Sequence, residues 1–240
     1  KAGAQLNGGT GIVNREEYLK HIDGLPFGSS RQQGMIRDNR FYHADLGVTL
    51  AFPRGWLVQN EREQLLAVSR AKDAVIRMTT EEMKDKETPQ DFVRRAVKGN
   101  SSGLDHGEIL NLSGGLQGYS AVVRSANTPF GNAPMRIGVI AVGKSAYVFL
   151  AASRSNVAGL PASDRVFVSV METFRKMRTA EFPLAEPYRI KILKADANTR
   201  IADVIKTVPL TEYPAQQIRL INDLYPAKEP KPGSSFKTIE

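Results

Sequence analysis

An apolar stretch at residues 135–153 most constrains the fold, because a run of this kind has to be buried. It contains Gly138-Val-Ile-Ala-Val-Gly143-Lys144-Ser145, which matches the phosphate-binding pattern G-x-x-x-x-G-K-S letter for letter. That pattern requires a curled loop between a strand and a helix, whereas the residues between and after these glycines favour extended strands. We therefore predict a β-hairpin with residues 143–145 at its tip. A nucleotide-binding enzyme that uses Gly143, Lys144 and Ser145 is the alternative.

The composition is compatible with a folded, water-exposed chain that has no thiol chemistry. Its 240 residues suit one large domain, or a domain with a small appendage, and 41% of them are apolar. No apolar run is long enough to cross a bilayer as a helix. Because there is no cysteine, disulfides, thiol nucleophiles and cysteine-based zinc sites are excluded. The opening sequence KAGAQLNGGTG contains no signal peptide and indicates a processed or excised chain.

The net charge of +8 would suit an anionic partner such as nucleic acid, anionic lipid or a cell-wall polymer. The basic residues are scattered, however, which favours a generally solvated basic surface. Binding of single-stranded nucleic acid also needs exposed aromatic residues among the basic ones. Tyr119, Tyr147 and Phe149 alternate with small apolar residues instead, and are predicted to lie in the core. We therefore expect neither a nucleic acid nor a nucleotide as a partner.

The order of the predicted elements indicates an α+β domain that follows an irregular arm. In the arm, residues 1–39, Asn14 caps a short helix, and glycines and prolines then interrupt regular structure. Short connections favour antiparallel pairing, so residues 40–180 are predicted to form a twisted antiparallel sheet flanked by helices that start at Thr88 and Ser163. Strands are predicted at residues 47–52, 64–69, 74–80, 108–112 and 116–126 and in the central hairpin, with a loop at 128–134.

The last quarter of the chain is predicted to be a separate small unit. Residues 181–188 contain two prolines and are expected to be a linker. The strand, helix and turn signals of residues 189–240 then predict a compact β-α-α-β arrangement. Its elements are expected at residues 189–194, 199–208, 214–224 and 235–239.

Three features of this tail form a recognisable pattern: a helix started by Thr199, the segment Asn222-Asp-Leu224 after the second helix, and Lys-Pro-Gly-Ser-Ser-Phe-Lys at residues 231–237. Together they resemble a LysM module, the small glycan-binding domain of cell-wall proteins. The chain departs from that family at residues 196–199, where LysM modules usually have Pro-Gly-Asp-Thr, and in a longer segment between the helices. The resemblance implies that any glycan would be bound by five residues, Asp196, Asn198, Thr199, Asp223 and Leu224.

Further short motifs precede the tail in a fixed order, at residues 18–28, 33–34, 41–47 and 52–60. Their order resembles the region that follows the catalytic domain in bacterial BepA-like zinc metalloproteases, and this resemblance covers nearly the whole chain. Residues 40–180 also resemble the PsbP-like antiparallel sandwich. The resemblance implies a protein of the bacterial envelope, periplasmic or otherwise extracytoplasmic, whose protease domain is N-terminal to Lys1.

The histidines do not form a protease site. A zinc metalloprotease needs His-Glu-x-x-His on a helix, but none of His21, His43 and His106 lies within helical reach of another. His43 is expected to pack at the junction of arm and domain, and His106 to lie with Asp105 in a polar loop. We therefore predict no catalytic residue, metal ligand or cofactor in this chain, with zinc expected only in the protease domain ahead of it.

These observations predict a non-catalytic accessory or docking region of an envelope zinc-dependent metallopeptidase, with the LysM-like tail as a tether or second contact surface. The expected partners are the protease domain of the same protein and, beyond it, peptidoglycan or envelope proteins. A stand-alone peptidoglycan-binding module and an interaction protein unrelated to proteolysis are the alternatives.

Overall fold

The computed structural model describes residues 14–28, 33–98, 103–210 and 213–240. The chain divides into two compact units. The large unit is Ser29–Glu186, and the small unit combines Lys1–Gly28 with Pro187–Glu240. This division differs from the predicted one, because the predicted arm is shared between the two units instead of forming a segment of its own.

Helices and strands alternate irregularly along the described residues. The α-helices are α1 (Arg15–Ile22), α2 (Pro89–Ala96), α3 (Asp164–Glu172), α4 (Ile201–Val204) and α5 (Pro214–Ile221), and a 3-10 helix spans Thr179–Ala185. The strands are β1 (Pro26–Phe27), β2 (Met35–Arg37), β3 (Arg40–His43), β4 (Val48–Ala51), β5 (Leu57–Asn60), β6 (Leu65–Val68), β7 (Ala74–Glu82), β8 (Leu104–Ile109), β9 (Gln117–Thr128), β10 (Gly131–Val142), β11 (Ser145–Ser153), β12 (Asn156–Val157), β13 (Leu160–Pro161), β14 (Arg175–Lys176), β15 (Tyr188–Lys194) and β16 (Ser235–Ile239).

The large unit is built on a seven-stranded sheet of order β5-β6-β7-β11-β10-β9-β8. Every neighbouring pair in it is antiparallel. A four-stranded sheet has the order β14-β4-β3-β2, and β12 and β13 form a separate hairpin. The predicted α+β class with antiparallel sheets and few helices is confirmed.

Both faces of the seven-stranded sheet are covered. On the face towards β3, β4 and α3, the core includes Phe41, Val48, Leu50, Ile76, Met78, Ile140, Tyr147, Phe149, Phe167, Val170, Met171 and Phe174. On the face towards α2, it includes Phe92, Val93, Ala121, Val123, Ile137, Val139, Ala146 and Val148. Because both faces of the sheet are covered, five consecutive residues of β10 at 136–140 are buried, and apart from Arg136 they are apolar instead of alternating with polar residues.

The helix starts follow their sequence signals. Thr88 accepts a hydrogen bond from the Asp91 amide while the Asp91 side chain accepts one from the Thr88 amide, a reciprocal capping box. Asn14 caps α1 through the Glu17 amide, as predicted. Ser163 occupies the N-cap position of α3 but makes no capping side-chain hydrogen bond. The sequence also predicts that Gly99 ends α2, but this residue lies outside the described residues.

The loop predicted at residues 128–134 is wrong. Only Pro129 and Phe130 separate β9 from β10, and the Thr128 hydroxyl closes this turn by donating to the Gly131 carbonyl oxygen at 2.7 Å. Pro134 lies inside β10 at a bulge, where the pairing with β9 shifts register. Bulges tolerate proline because their extra residue is not paired in the ladder, so the proline does not end the strand here.

The segment predicted as a linker is anchored to the large unit through Glu186. Arg175 binds Glu181 through two hydrogen bonds of 2.7 and 2.5 Å. Arg37 donates to the carbonyl oxygens of Leu184 and Glu186 at 2.7 and 2.8 Å. Of the two prolines that suggested a linker, Pro183 therefore lies in a short, fixed 3-10 helix, and Pro187 follows it.

Acid should weaken this anchor. The Arg175 guanidinium, aided by the Arg178 amide, lowers the pKa of Glu181 to about 2 from its usual 4.5. Because the folded pKa is depressed, the stabilisation is fully present above about pH 4.5 and is lost as the pH falls towards 2. We expect Glu181→Gln to lower the free energy of unfolding by about 1 kcal/mol at pH 7 and by less near pH 2. Urea unfolding at both pH values measures this, with Glu63→Gln, an exposed carboxylate, as the unaffected control; equal losses at both pH values would contradict it.

The small unit contains a three-stranded sheet of order β1-β15-β16 with α1, α4 and α5 around it. Its core is formed by Ile201, Val208, Ile218 and Ile239. The Asn222 side chain donates to the carbonyl oxygens of Ile218 and Lys237 and accepts from the Lys237 amide, which ties the end of α5 to β16. The predicted β-α-α-β order is present, but α4 is shorter than expected, and α1 and β1 add to it.

Candidate functional site

A spacious cleft of the large unit lies where β8, the β12–β13 hairpin and the start of α3 meet. We name it the Arg136 cleft after the side chain at its base; its volume is about 690 Å³. The wall elements contribute Glu108 from β8, Val157 from β12 and Asp164 from α3. Clefts of this volume commonly hold ligands or parts of partner proteins.

The base of the cleft is a buried ion-pair network. Arg136 is 2% exposed, and its Nε and Nη2 atoms donate to the two carboxylate oxygens of Asp164 at 2.8 and 2.5 Å. Its Nη1 atom donates to Glu108 at 2.9 Å, and to the Ser120 hydroxyl and the His106 carbonyl oxygen at 3.1 Å each. The bidentate geometry fixes the guanidinium plane, so the network is a rigid part of the cleft.

The local folding of four elements assembles this network. Arg136 follows the bulge of β10. Its side chain reaches Asp164, the first residue of α3. On the other side, β8 has a register shift between Asp105 and Glu108, which brings the His106 carbonyl within reach of Arg136. His106 has a positive φ of 48°, as its place in this irregular strand requires.

Sequence reasoning did not identify Arg136 as a site residue. The available signal was a single charged residue between Met135 and Ile137, in a run that had to be buried. A buried arginine needs a carboxylate partner. The sequence did not identify Asp164 as that partner, because the two residues are 28 positions apart.

The charges and the rim of the cleft favour a cationic or apolar partner. Glu108, Asp164 and Glu172 supply three carboxylates, against the guanidinium groups of Arg136 and Arg165. This local excess of negative charge contrasts with the net charge of +8 of the whole chain. Two apolar side chains at the rim, Val157 and Val166, are 64% and 40% exposed.

The five predicted glycan-binding residues lie in two segments of the small unit. Asp196 accepts hydrogen bonds from the Asn198 amide and the Thr199 hydroxyl, in the turn before α4. The hydrogen bond from Thr199 is the main reason why the pKa of Asp196 is lowered. Asp223 and Leu224 follow α5. Asp223 lines a pocket with residues of α1, whereas Leu224 packs against the core, so these two adjacent residues have different surroundings.

The three histidines lie on separate elements: His21 in α1, His43 in β3 and His106 in β8. The expectation that Asp105 and His106 lie in a loop is wrong, since both are in β8. His43 accepts a hydrogen bond from the Leu46 amide and makes an edge contact with Phe41. Among the described residues, no group of three or more side chains is arranged to hold a metal ion.

The G-x-x-x-x-G-K-S segment forms the predicted hairpin. Val142 pairs with Ser145, and Gly143 takes a φ of +61° in the two-residue turn between them. Lys144 is exposed, and its Nζ atom lies 3.6 Å from the Oδ1 atom of Asp85. The segment is thus strand and turn, without the curled loop and following helix that cradle a phosphate.

Lys144→Ala should therefore leave the protein unchanged. An exposed ion pair of this kind contributes at most about 1 kcal/mol, and we expect a change in the free energy of unfolding within roughly 0.5 kcal/mol. Chemical denaturation measures this, and ATP titration by calorimetry supplies the second readout. Binding of ATP that disappears in the variant would contradict the hairpin interpretation and favour the nucleotide-binding alternative.

Among the residues that the structure describes, no helix has the length and apolarity needed to span a membrane.

Comparison with known proteins gives distant structural likenesses. The solution structure of cyanobacterial PsbP from Synechocystis sp. PCC 6803 is similar with a TM-score of 0.41 and 15% identity, over 62% of this chain and 98% of that one. A crystal structure from Bacteroides thetaiotaomicron is similar with a TM-score of 0.34 and 12% identity, over 71% of this chain and 59% of that one. No protein-family model matches the chain, and no curated protein matches it.

Proposed function

We propose that this chain is a non-catalytic docking region of a zinc-dependent metallopeptidase of the bacterial envelope. The large unit contacts the protease domain of the same protein through the Arg136 cleft. The small unit, as a LysM-like tail, is a tether or second contact surface on peptidoglycan or envelope proteins. The order of the short motifs at residues 18–60 supports the link to this class of peptidase.

The main support for the proposal is that the charged groups at the base of the cleft are joined in ion pairs through Arg136. Arg136 binds both Asp164 and Glu108, with hydrogen bonds of 2.5 to 2.9 Å. A general acid or base has to exchange protons with a substrate, and a nucleophile has to be activated by a neighbouring base. Groups held in a mutual ion-pair network suit a preformed recognition surface better than either role.

The rim defines the kind of partner. Val157 and Val166 offer apolar contact beside an excess of carboxylates, which fits a protein surface with apolar side chains surrounded by Lys or Arg. The same charge disfavours anionic polymers at this cleft. Zinc belongs to the protease domain in this proposal, and no residue of this chain is assigned to it.

The proposal is tested by measuring how the chain binds the separately produced catalytic domain of the same reading frame, using titration calorimetry. We expect Val157→Lys and Val166→Lys each to weaken binding by about tenfold, since each removes an apolar contact and places a positive charge opposite the Lys or Arg side chains of the partner. Leu57→Lys is the matched control, because Leu57 is an exposed apolar residue on β5, at the opposite edge of the sheet. Equal affinities for all three variants, or no binding by the unmodified chain, would reject docking through this cleft.

The second candidate function, peptidoglycan binding by the small unit, is motivated by the placement of Asp223 in a pocket with the exposed aromatic Tyr18. Sedimentation with purified cell wall separates the two. Retention on cell wall that is lost in Asp223→Ala, with no affinity for the catalytic domain, would favour this alternative.

A further inference from the structure

A second cavity of the large unit lies between the four-stranded and seven-stranded sheets and is separate from the Arg136 cleft. Its volume is about 340 Å³, and it is bordered by β3, the end of β5, β6, β7 and β11. The volume is near the lower end of the range of known small-molecule sites. Nothing in the proposed docking function requires it.

The base of this cavity contains the hydroxyl of a tyrosine whose side chain is almost fully buried. Tyr147 is 1% exposed, and its ring packs against Phe174 at a centroid distance of 4.7 Å. Among the described residues, every fully buried side-chain nitrogen or oxygen atom has a hydrogen-bond partner. The Tyr147 hydroxyl has no hydrogen-bond partner among those residues. The oxygen is therefore not fully enclosed, and because Tyr147 lines the cavity, we take its small open area to face the cavity.

This hydroxyl is a hydrogen-bond donor over the physiological pH range. Burial raises the pKa of Tyr147 to about 12, so the phenol stays protonated at neutral pH. A donor that is largely shielded from water gains free energy when an acceptor pairs with it. The hydroxyl therefore favours a ligand that has an acceptor atom.

The walls and the rim define the rest of the ligand. Phe41, Leu65 and Met78 are buried apolar residues that line the cavity. The rim includes Glu61 and Glu63 with a single guanidinium, that of Arg62, so it has a small excess of negative charge. An anionic molecule would be repelled at this entrance, whereas an uncharged one would not.

We propose that the cavity between the two sheets is a binding site for a small uncharged molecule that has an apolar body and a carbonyl or amide oxygen, with the Tyr147 hydroxyl donating to that oxygen. The apolar body packs against Phe41, Leu65 and Met78. The site is independent of the docking cleft and of the identity of its partner.

Three probes of one ring size test the proposal on the unmodified chain, by NMR of the methyl groups of Leu65 and Met78. Benzamide has both a ring and an acceptor, toluene has only the ring, and benzoate has the acceptor with a negative charge. We expect benzamide to shift both methyl signals with a dissociation constant on the order of 1 mM. Toluene and benzoate should each bind at least about twofold more weakly, because each lacks one of the matching features.

The variant Tyr147→Phe removes only the hydroxyl. Since that oxygen has no partner among the described residues, the variant should fold and melt like the unmodified chain, while its affinity for benzamide falls about two- to tenfold. Affinity for toluene should stay the same, which is the matched control.

Three results would overturn the proposal. The first is benzamide that leaves the Leu65 and Met78 signals unshifted at saturating concentration. The second is tighter binding of benzoate than of benzamide. The third is equal affinity of the unmodified chain and of Tyr147→Phe for benzamide, because the hydroxyl would then make no contact with the ligand. The probe series on the unmodified chain gives a decision even if Tyr147→Phe does not fold.

Discussion

Replacing Arg136 with methionine is expected to lower the free energy of unfolding by about 3–5 kcal/mol, the usual loss when one partner of a buried ion pair is removed. Asp164 would remain buried at the start of α3 without its two charge-assisted hydrogen bonds. Ser120 and Glu108 would lose a donor as well. Urea unfolding monitored by circular dichroism measures the change.

Arg124→Met is the matched control on the neighbouring strand. Arg124 also makes a bidentate contact, with Asp105, but its side chain is largely exposed. We expect a loss of at most about 1 kcal/mol there. The double variant Arg136→Met with Asp164→Leu should recover much of the loss, since neither charge is then left unpaired. A single Arg136→Met variant as stable as Arg124→Met would show that the network does not hold the cleft together.

Replacing Gly138 with alanine is expected to lower the free energy of unfolding by about 1–3 kcal/mol through overpacking. A Cβ atom at this position would lie 3.1 Å from the Cε atom of Met171 on α3 and still closer to its sulfur atom. Both distances are too short for an ordinary van der Waals contact. Met171 is fully buried, so it has little room to move away. In the alternative phosphate-binding interpretation, the same change would act on nucleotide binding and not on stability.

A double-mutant cycle identifies the cause. Met171→Val removes the atoms that the new methyl group would meet, so the two changes together should be less destabilising than the sum of the single changes. The favourable coupling is expected to be about 0.5–3 kcal/mol. Thermal and urea unfolding of the four proteins supply the values. Strict additivity would mean that Gly138 is not required by the approach of α3.

Local signals predicted a large part of the fold. Val-Ile-Ala-Val and the glycine-containing turn indicated the central hairpin, and a threonine before Pro89 indicated the start of α2. Both signals lie within a few residues of the structure they specify. Short connections between strands favoured antiparallel pairing, and every pair in the seven-stranded sheet is antiparallel.

The remaining features depend on contacts between residues that are distant in sequence. The Arg136 network joins β10 to α3 and β8, and no local pattern specifies which carboxylate pairs with which guanidinium. The same applies to Arg37, which holds the carbonyl oxygen of Glu186 and so fixes the segment predicted as a linker. Strand β2, which contains Arg37, was missed because its residues acquire a partner only when β3 pairs with them.

Proline and glycine led to the prediction of a loop where the structure has strands. They marked residues 128–134 as a loop, although a two-residue turn and a bulge accommodate all of them within two long strands. Of the predicted glycan-binding residues, Asp196, Asn198 and Thr199 form one hydrogen-bonded turn, whereas Asp223 lies in a pocket with α1, a helix that the prediction had assigned to a separate arm. The sequence could not associate α1 with the tail, because nearly the whole large unit separates them.

The most direct test of the proposed function is sequencing of the reading frame upstream of Lys1. The proposal predicts a preceding domain with His-Glu-x-x-His on a helix, the zinc-binding motif for which this chain would provide the docking surface. A reading frame that begins close to Lys1, with no hydrolase ahead of it, would contradict the proposal.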